Sequence, residues 1–134
     1  MRRLLHFASA PLEVGLDVVE VASVEAALRS RSSERYLTLV YTERECLDST
    51  DDAGRIEASR LAARFAAKEA VMKAIGRNDL PWRSIEVVKR SDGRPSVRLS
   101  GAAAVSAAGR GLRRFSLSIT HEPSVAAAVV VASR

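Results

Sequence analysis

The stretch from Phe65 to Gly76, FAAKEAVMKAIG, constrains this chain more than any other. It is built from strong helix formers and closes on a glycine, which can take the left-handed conformation that stops a helix. At 100° per residue, Leu61, Phe65 and Met72 fall within about 40° of one another, so one side of the helix is apolar and must be covered. Glu69 falls about 40° to one side of Phe65 and borders that buried stripe. A desolvated carboxylate destabilises by several kcal/mol unless a cation or strong donors meet it. A positive partner is therefore expected at Glu69, either Lys73 four residues on or a metal ion.

The segments around this helix read as a mixture. LEVGLDVVEV, Leu12 to Val21, is rich in β-branched residues and suits a strand running into a turn. Ser23 is placed to cap a short amphipathic helix, VEAALRSR, whose far end carries Arg29, Arg31 and Arg35, favourable charges for a helix C-terminus. Those arginines fit a solvated face and a docking surface equally well. TERE, Thr42 to Glu45, is a capping box that starts another short helix. DSTDDAG breaks the pattern, and its polar groups can meet the free amides of the long helix, expected from about Ile56 to Ile75 with Gly76 as its stop.

Beyond Gly76, SIEVVKRSDGRPSVRLSG gives two alternating strands joined at Asp92-Gly93, a pair that accepts positive φ. AAAVSAAGRG reads as a small-residue helix ended by Gly109, and RFSLSITHEPSVAAAVVVA as two more strands meeting at HEP. Phe115, Leu117 and Ile119 face one way there, and Ser116, Ser118 and Thr120 the other. Helices and antiparallel strands mix without the regular alternation of a parallel sheet. The class is α+β, an antiparallel sheet packed against one long helix and shorter helices.

With 134 residues and no long low-complexity stretch, the chain is expected to form a single domain, 1–134, burying roughly two-thirds of its unfolded surface. Its one cysteine, Cys46, cannot make an internal bridge and reads as core, which suits a reducing cytoplasm. The longest apolar run, Val125 to Ala132, is far short of the ~20 residues a membrane helix needs. Arg2 and Arg3 followed by LLHF and ASA imitate a secretory signal, but the apolar segment is shorter than the ~7 residues required, so cleavage is not expected. A net charge of +5 favours an anionic partner. Aromatics make up only 4% of the residues and none alternate with the arginines, which argues against a base-stacking platform and against nucleic acid.

The chemistry-bearing residues converge on phosphate. Asp17 stands in an apolar strand, GLDVV, as Glu69 stands beside an apolar stripe. Brought together, the two would form a hard oxygen site suited to Mg²⁺, whose remaining ligands would be waters and substrate phosphates; alone, either is a satisfied ion pair. Arg64, Lys68 and Lys73 lie along the flanks of the same helix, as an ordinary charged flank or as cations beside a metal-bound diphosphate. His121 closes a strand at a loop, where it is a phosphate donor, a proton carrier or simply structural. The lack of a Gly-x-Ser-x-Gly turn to present the serine argues against a nucleophile site built from Ser118 and His121.

Taken in order, GLDVVEV, RFAAKEAVMKAIG, WRSIEVVKRSDGRPSVRLSG and LSITHE with AAAVVV resemble the holo-acyl-carrier-protein synthases, the small type of 4'-phosphopantetheinyl transferase. The resemblance runs from about Val14 to Ala132. It implies the transferase fold and a Mg²⁺-dependent transfer of 4'-phosphopantetheine from coenzyme A to a serine of an acyl carrier protein, releasing adenosine 3',5'-bisphosphate. By position, Asp17 and Glu69 match the family's metal ligands and Lys73 its diphosphate contact. Arg64, Lys68 and His121 match residues lining the coenzyme A site, with Arg64 facing the ribose phosphate. Either Glu69 or a metal-bound water would deprotonate the serine. The resemblance also implies a homotrimer with an active site at each subunit interface, and a carrier whose acidic helix faces Arg29, Arg31 and Arg35.

Three features depart from the family pattern. Ser23, in EVASVE, stands where an arginine is usual, removing one carrier-protein contact. KAIGRNDLPW replaces a longer glycine loop, so Asn78 is expected to accept the turn. The residues before Val14 have no family counterpart. The alternative reading is a non-catalytic relative that binds a carrier protein or nucleotide; its loss of the ligand carboxylates is not met, since both are present. The carrier's pathway, whether fatty acid, polyketide or peptide, is not encoded in any motif.

Overall fold

The computed structural model describes residues 12–134. The signal-like segment at Arg2 and Arg3, and all but the last two of the residues before Val14, lie outside that range. The order of elements is β1 (Leu12–Glu20), α1 (Val21–Arg29), α2 (Ser33–Val40), α3 (Glu43–Asp48), α4 (Ala58–Ile75), a 3-10 turn (Trp82–Ser84), β2 (Ile85–Lys89), β3 (Pro95–Leu99), α5 (Gly101–Gly109), β4 (Arg114–His121) and β5 (Val125–Ser133). Both sheets are antiparallel, one of order β1-β5-β4 and one a β2-β3 hairpin. The α+β class with a long helix against a sheet is the one the sequence implies.

Helix α4 runs through the core. Leu61, Ala62, Ala63, Ala66, Ala67, Ala70, Val71 and Ile75 are all fully buried, and the many alanines let neighbouring backbones come close. The inner face of the three-stranded sheet covers it with Val19, Ala126, Ala128 and Val130. Phe115, Leu117 and Ile119 share that side, half-buried. The outer face of β1 is different: Leu12, Val14, Leu16 and Val18 are 52–61% exposed.

Several local expectations change. Helix α1 begins at Val21, directly after the strand, and Ser23 does not cap it; its hydroxyl donates to the Glu20 carbonyl instead. The polar run before α4 does not cap that helix either. Asp51 turns back on its own loop, accepting from the amides of Ala53 and Arg55, while the Glu57 carbonyl accepts from Arg60 and Leu61. Helix α2 is unanticipated: it is short, Val40 is the one residue it buries, and Tyr36 and Leu37 beside it are only partly buried against the core. The capping box at Thr42 forms in full. Gly93 carries the hairpin turn at φ 88°. Asn78 does not take up the turn after α4; Gly76 does, at φ 82°, and no non-glycine residue among those described has positive φ. Arg110 completes this helix end by donating to the Ile75 carbonyl at 2.8 Å.

Candidate active site

Gly15 decides where β1 lies on α4. A Cβ there would sit 1.7 Å from the carbonyl oxygen of Ala70 and 3.0 Å from the Ala74 nitrogen. Only a residue without a side chain lets strand backbone rest on helix backbone in this way. Asp17, two residues on and on the same strand face, is thereby delivered beside Glu69, the neighbour of Ala70.

There the Lys73 ammonium donates to the Leu16 carbonyl at 2.8 Å and to Asp17 Oδ1 at 3.1 Å. The cation expected at Glu69 is thus engaged by Asp17, and Glu69 has no ion-pair partner within 4.0 Å among the described residues. Partial burial, and then the charge of Asp17, push the Glu69 carboxyl above the ordinary glutamate range, with Lys73 opposing. Lys73 thus links the two carboxylates, bonded to Asp17 and standing one helical turn beyond Glu69 on the same side of α4. Glu69 and Lys73 also line a depression of about 330 Å³ with Met72, Gly76, Arg77 and Asn78.

Arg64 and His121 lie elsewhere. They share a second cleft of about 340 Å³ with Asp48, Arg60 and Lys89. Arg64 is only 9% exposed; its Nη1 donates to the Arg60 carbonyl at 3.1 Å and its Nε has no partner. Burial lowers the guanidinium pKa, with Asp48 pulling the other way. A buried donor without an acceptor, in a cleft rich in cations, suits an anionic guest.

Lys68 belongs to neither cleft. Its ammonium is fully buried, 2.8 Å from Glu45 Oε1, and donates to the carbonyls of Trp82 and Ile85. The expected contact with coenzyme A gives way here to a core ion pair, because Glu45 of α3 reaches it first. Six sequence-derived positions thus divide three ways: Asp17, Glu69 and Lys73 meet, Arg64 and His121 meet, and Lys68 is internal. Gly15, Arg60 and Lys89, none of them expected at a site, also belong to these contacts. A glycine inside a β-branched strand does signal close backbone approach, and Arg60 precedes Arg64 by one helical turn; nothing local marks Lys89.

A family model described as the 4'-phosphopantetheinyl transferase superfamily matches residues 13–129. The holo-acyl-carrier-protein synthase of Paramagnetospirillum magneticum is 39% identical over 122 residues, covering 88% of this chain and 92% of the relative. Among solved structures, the Helicobacter pylori holo-acyl-carrier-protein synthase in complex with coenzyme A superimposes with a TM-score of 0.76 at 28% identity, over 90% of this chain and 99% of that one. The Neisseria meningitidis synthase gives 0.79 at 26% identity, over 91% and 98%. The chain therefore belongs to the holo-acyl-carrier-protein synthase family of the 4'-phosphopantetheinyl transferase superfamily, and is an enzyme of that class.

Proposed function

We propose that this chain transfers the 4'-phosphopantetheine arm of coenzyme A, in a Mg²⁺-dependent reaction, to a serine of an apo acyl carrier protein, releasing adenosine 3',5'-bisphosphate. The observation that carries this reading is the meeting of Asp17, Glu69 and Lys73 across the Gly15–Ala70 contact. Two carboxylates, with no third His, Cys, Asp or Glu joining them among the described residues, fit a cation that keeps waters and takes its other ligands from phosphate. Asp17 and Glu69 would hold that ion. When bound, it supplies positive charge to the diphosphate oxygens.

The chain's own residues account for the remaining steps. Lys73 brings an ammonium to the same place and offsets charge on the bridging oxygen as its bond to phosphorus breaks. The serine oxygen forms the new bond to that phosphorus, and the bridging oxygen leaves with the nucleotide. The serine proton passes to Glu69 or to water. Arg64 and His121 would hold the ribose phosphate, and the Helicobacter pylori relative, solved with coenzyme A, supports that donor.

Within one chain the two clefts are separate, which favours an assembly. A homotrimer would join the Asp17, Glu69 and Lys73 cluster of one protomer to the Arg64 and His121 cleft of the next. The apolar outer face of β1 supports self-association, since water disfavours a contiguous patch of this kind. Arg29, Arg31 and Arg35 are exposed around the α1–α2 connection and suit an acidic carrier surface. No described helix is long and apolar enough to cross a membrane, and a cytoplasmic setting accords with the free Cys46. The test is to incubate the protein with coenzyme A, Mg²⁺ and several apo carrier proteins and to weigh the carriers intact. A mass gain that disappears on chelation is expected; no gain on any carrier would overturn the proposal.

A further inference from the structure

The residue before Glu69 bears on how the catalytic helix is held. Glu45 and Lys68 form an ion pair with no exposed side-chain surface. Lys68 donates also to the carbonyls of Trp82, at 3.0 Å, and Ile85. Glu45 accepts from the amides of Thr42 and Val87, each at 2.9 Å. One pair of charges thus ties together α3 with its capping box, α4, the 3-10 turn and β2. Phe65, one turn earlier on α4, stacks on Trp82 at 4.9 Å between ring centroids.

A buried ion pair is not required to fill a core. Well-packed apolar residues of similar volume are often as stabilising or more so, whereas charged and hydrogen-bonded groups specify direction. Direction matters here because of where the pair sits. Lys68 and Ala70 are about 200° apart around the helix, on nearly opposite flanks. The ion pair holds one flank, and the Ala70 carbonyl against Gly15 holds the other. Glu69 stands about 100° from each, with Lys73 about 40° away on the same open side. A carboxylate carried about 6 Å from the helix axis would move about 2 Å for a 20° turn of the helix. Metal–ligand distances tolerate only about 0.2 Å.

We propose that Glu45 and Lys68 are positioning residues, which set the rotation of α4 and so the place of the Glu69 carboxylate relative to Asp17. This rests on the reading of Asp17 and Glu69 as metal ligands. Neither Glu45 nor Lys68 touches the reacting atoms.

Three variants test it. Glu45→Gln leaves the ammonium buried without its counter-charge and is expected to lower the melting temperature. Glu45→Gln combined with Lys68→Met removes both charges and is expected to recover most of that loss. The deciding measurements on the double variant are Mn²⁺ binding by electron paramagnetic resonance, and kcat and KM for coenzyme A at saturating Mg²⁺. If the pair positions Glu69, the double variant binds Mn²⁺ about 10-fold more weakly or worse, and kcat falls with KM little changed. A stable double variant with unaltered Mn²⁺ affinity and kcat overturns the proposal. Should the double variant not fold, Glu45→Asp, which keeps the charge but shortens its reach, takes its place under the same two outcomes. Absence of both Mn²⁺ binding and Mg²⁺-dependent turnover in the unsubstituted protein would instead bring down the metal-ligand reading, and this inference with it.

Discussion

Gly15→Ala adds one carbon atom at the contact that joins β1 to α4. Gly15 does not occupy the left-handed region, so alanine is permitted by its backbone conformation and the effect is purely one of space. The new Cβ would lie 1.7 Å from the Ala70 oxygen. Non-bonded heavy atoms rest about 3.5 Å apart, so strand or helix must retreat by about 1.8 Å. Neither can do so alone, since β1 is laddered to β5 along its whole length and α4 is buried on almost every side. Overpacking of side chains typically destabilises by 1–3 kcal/mol; here the obstacle is main chain, and about 3 kcal/mol or more is expected. For a chain of this length that corresponds to a fall of roughly 10 °C in Tm. Asp17 moves with the strand, so Mg²⁺ affinity should fall by more than the loss of folded protein explains. Thermal denaturation followed by circular dichroism, with Mn²⁺ titration of the folded fraction, measures both. A Gly15→Ala protein that melts within about 2 °C of the unsubstituted one would refute the claim that this contact sets the spacing.

Other substitutions separate the remaining parts. The Glu69 pKa is raised in the folded state, so its charged form opposes folding at pH above that raised value, and the penalty vanishes as pH falls below the ordinary glutamate range. Glu69→Gln is therefore expected to raise the metal-free Tm near neutral pH, to give no gain at about pH 4, and to abolish Mg²⁺-dependent turnover; a lowered metal-free Tm near neutral pH would contradict the sign. Arg64→Met removes a buried donor without an acceptor, so it should leave Tm unchanged or higher while raising KM for coenzyme A about 10-fold or more. An unchanged KM would detach the second cleft from the nucleotide. Val14→Glu with Val18→Glu places charge on the exposed apolar face of β1 and should yield monomers in light scattering. Assembly of the same size as the unsubstituted protein would show that this face is not the subunit contact.

Much of the fold is legible locally. The helix ending at Gly76, the capping box at Thr42 and Glu45, and the turn at Gly93 are made by residues that are neighbours in the chain, so their patterns survive in the linear order. The failures come from competition. Ser23 and the run from Asp48 to Gly54 have the chemistry of caps, yet Ser23 finds a carbonyl three residues back and Asp51 finds amides within its own loop. The candidate site divides in the same way. Glu69 at the edge of an apolar stripe and Asp17 in an apolar strand are consequences of backbone period. Lys68 and Lys73 look alike in that pattern, both cations on a helix flank. One becomes core because Glu45 and two carbonyls converge on it; the other stays half-exposed and holds Asp17.

The amino-acid order by itself determined which side chains carry charge into apolar surroundings, because the direction of a side chain follows from the period of its own helix or strand. Only the tertiary structure decided which of those charges meet. That outcome depends on how closely elements distant in the chain approach, and here the approach is set by a missing Cβ at Gly15 and by a buried pair of charges at Glu45 and Lys68.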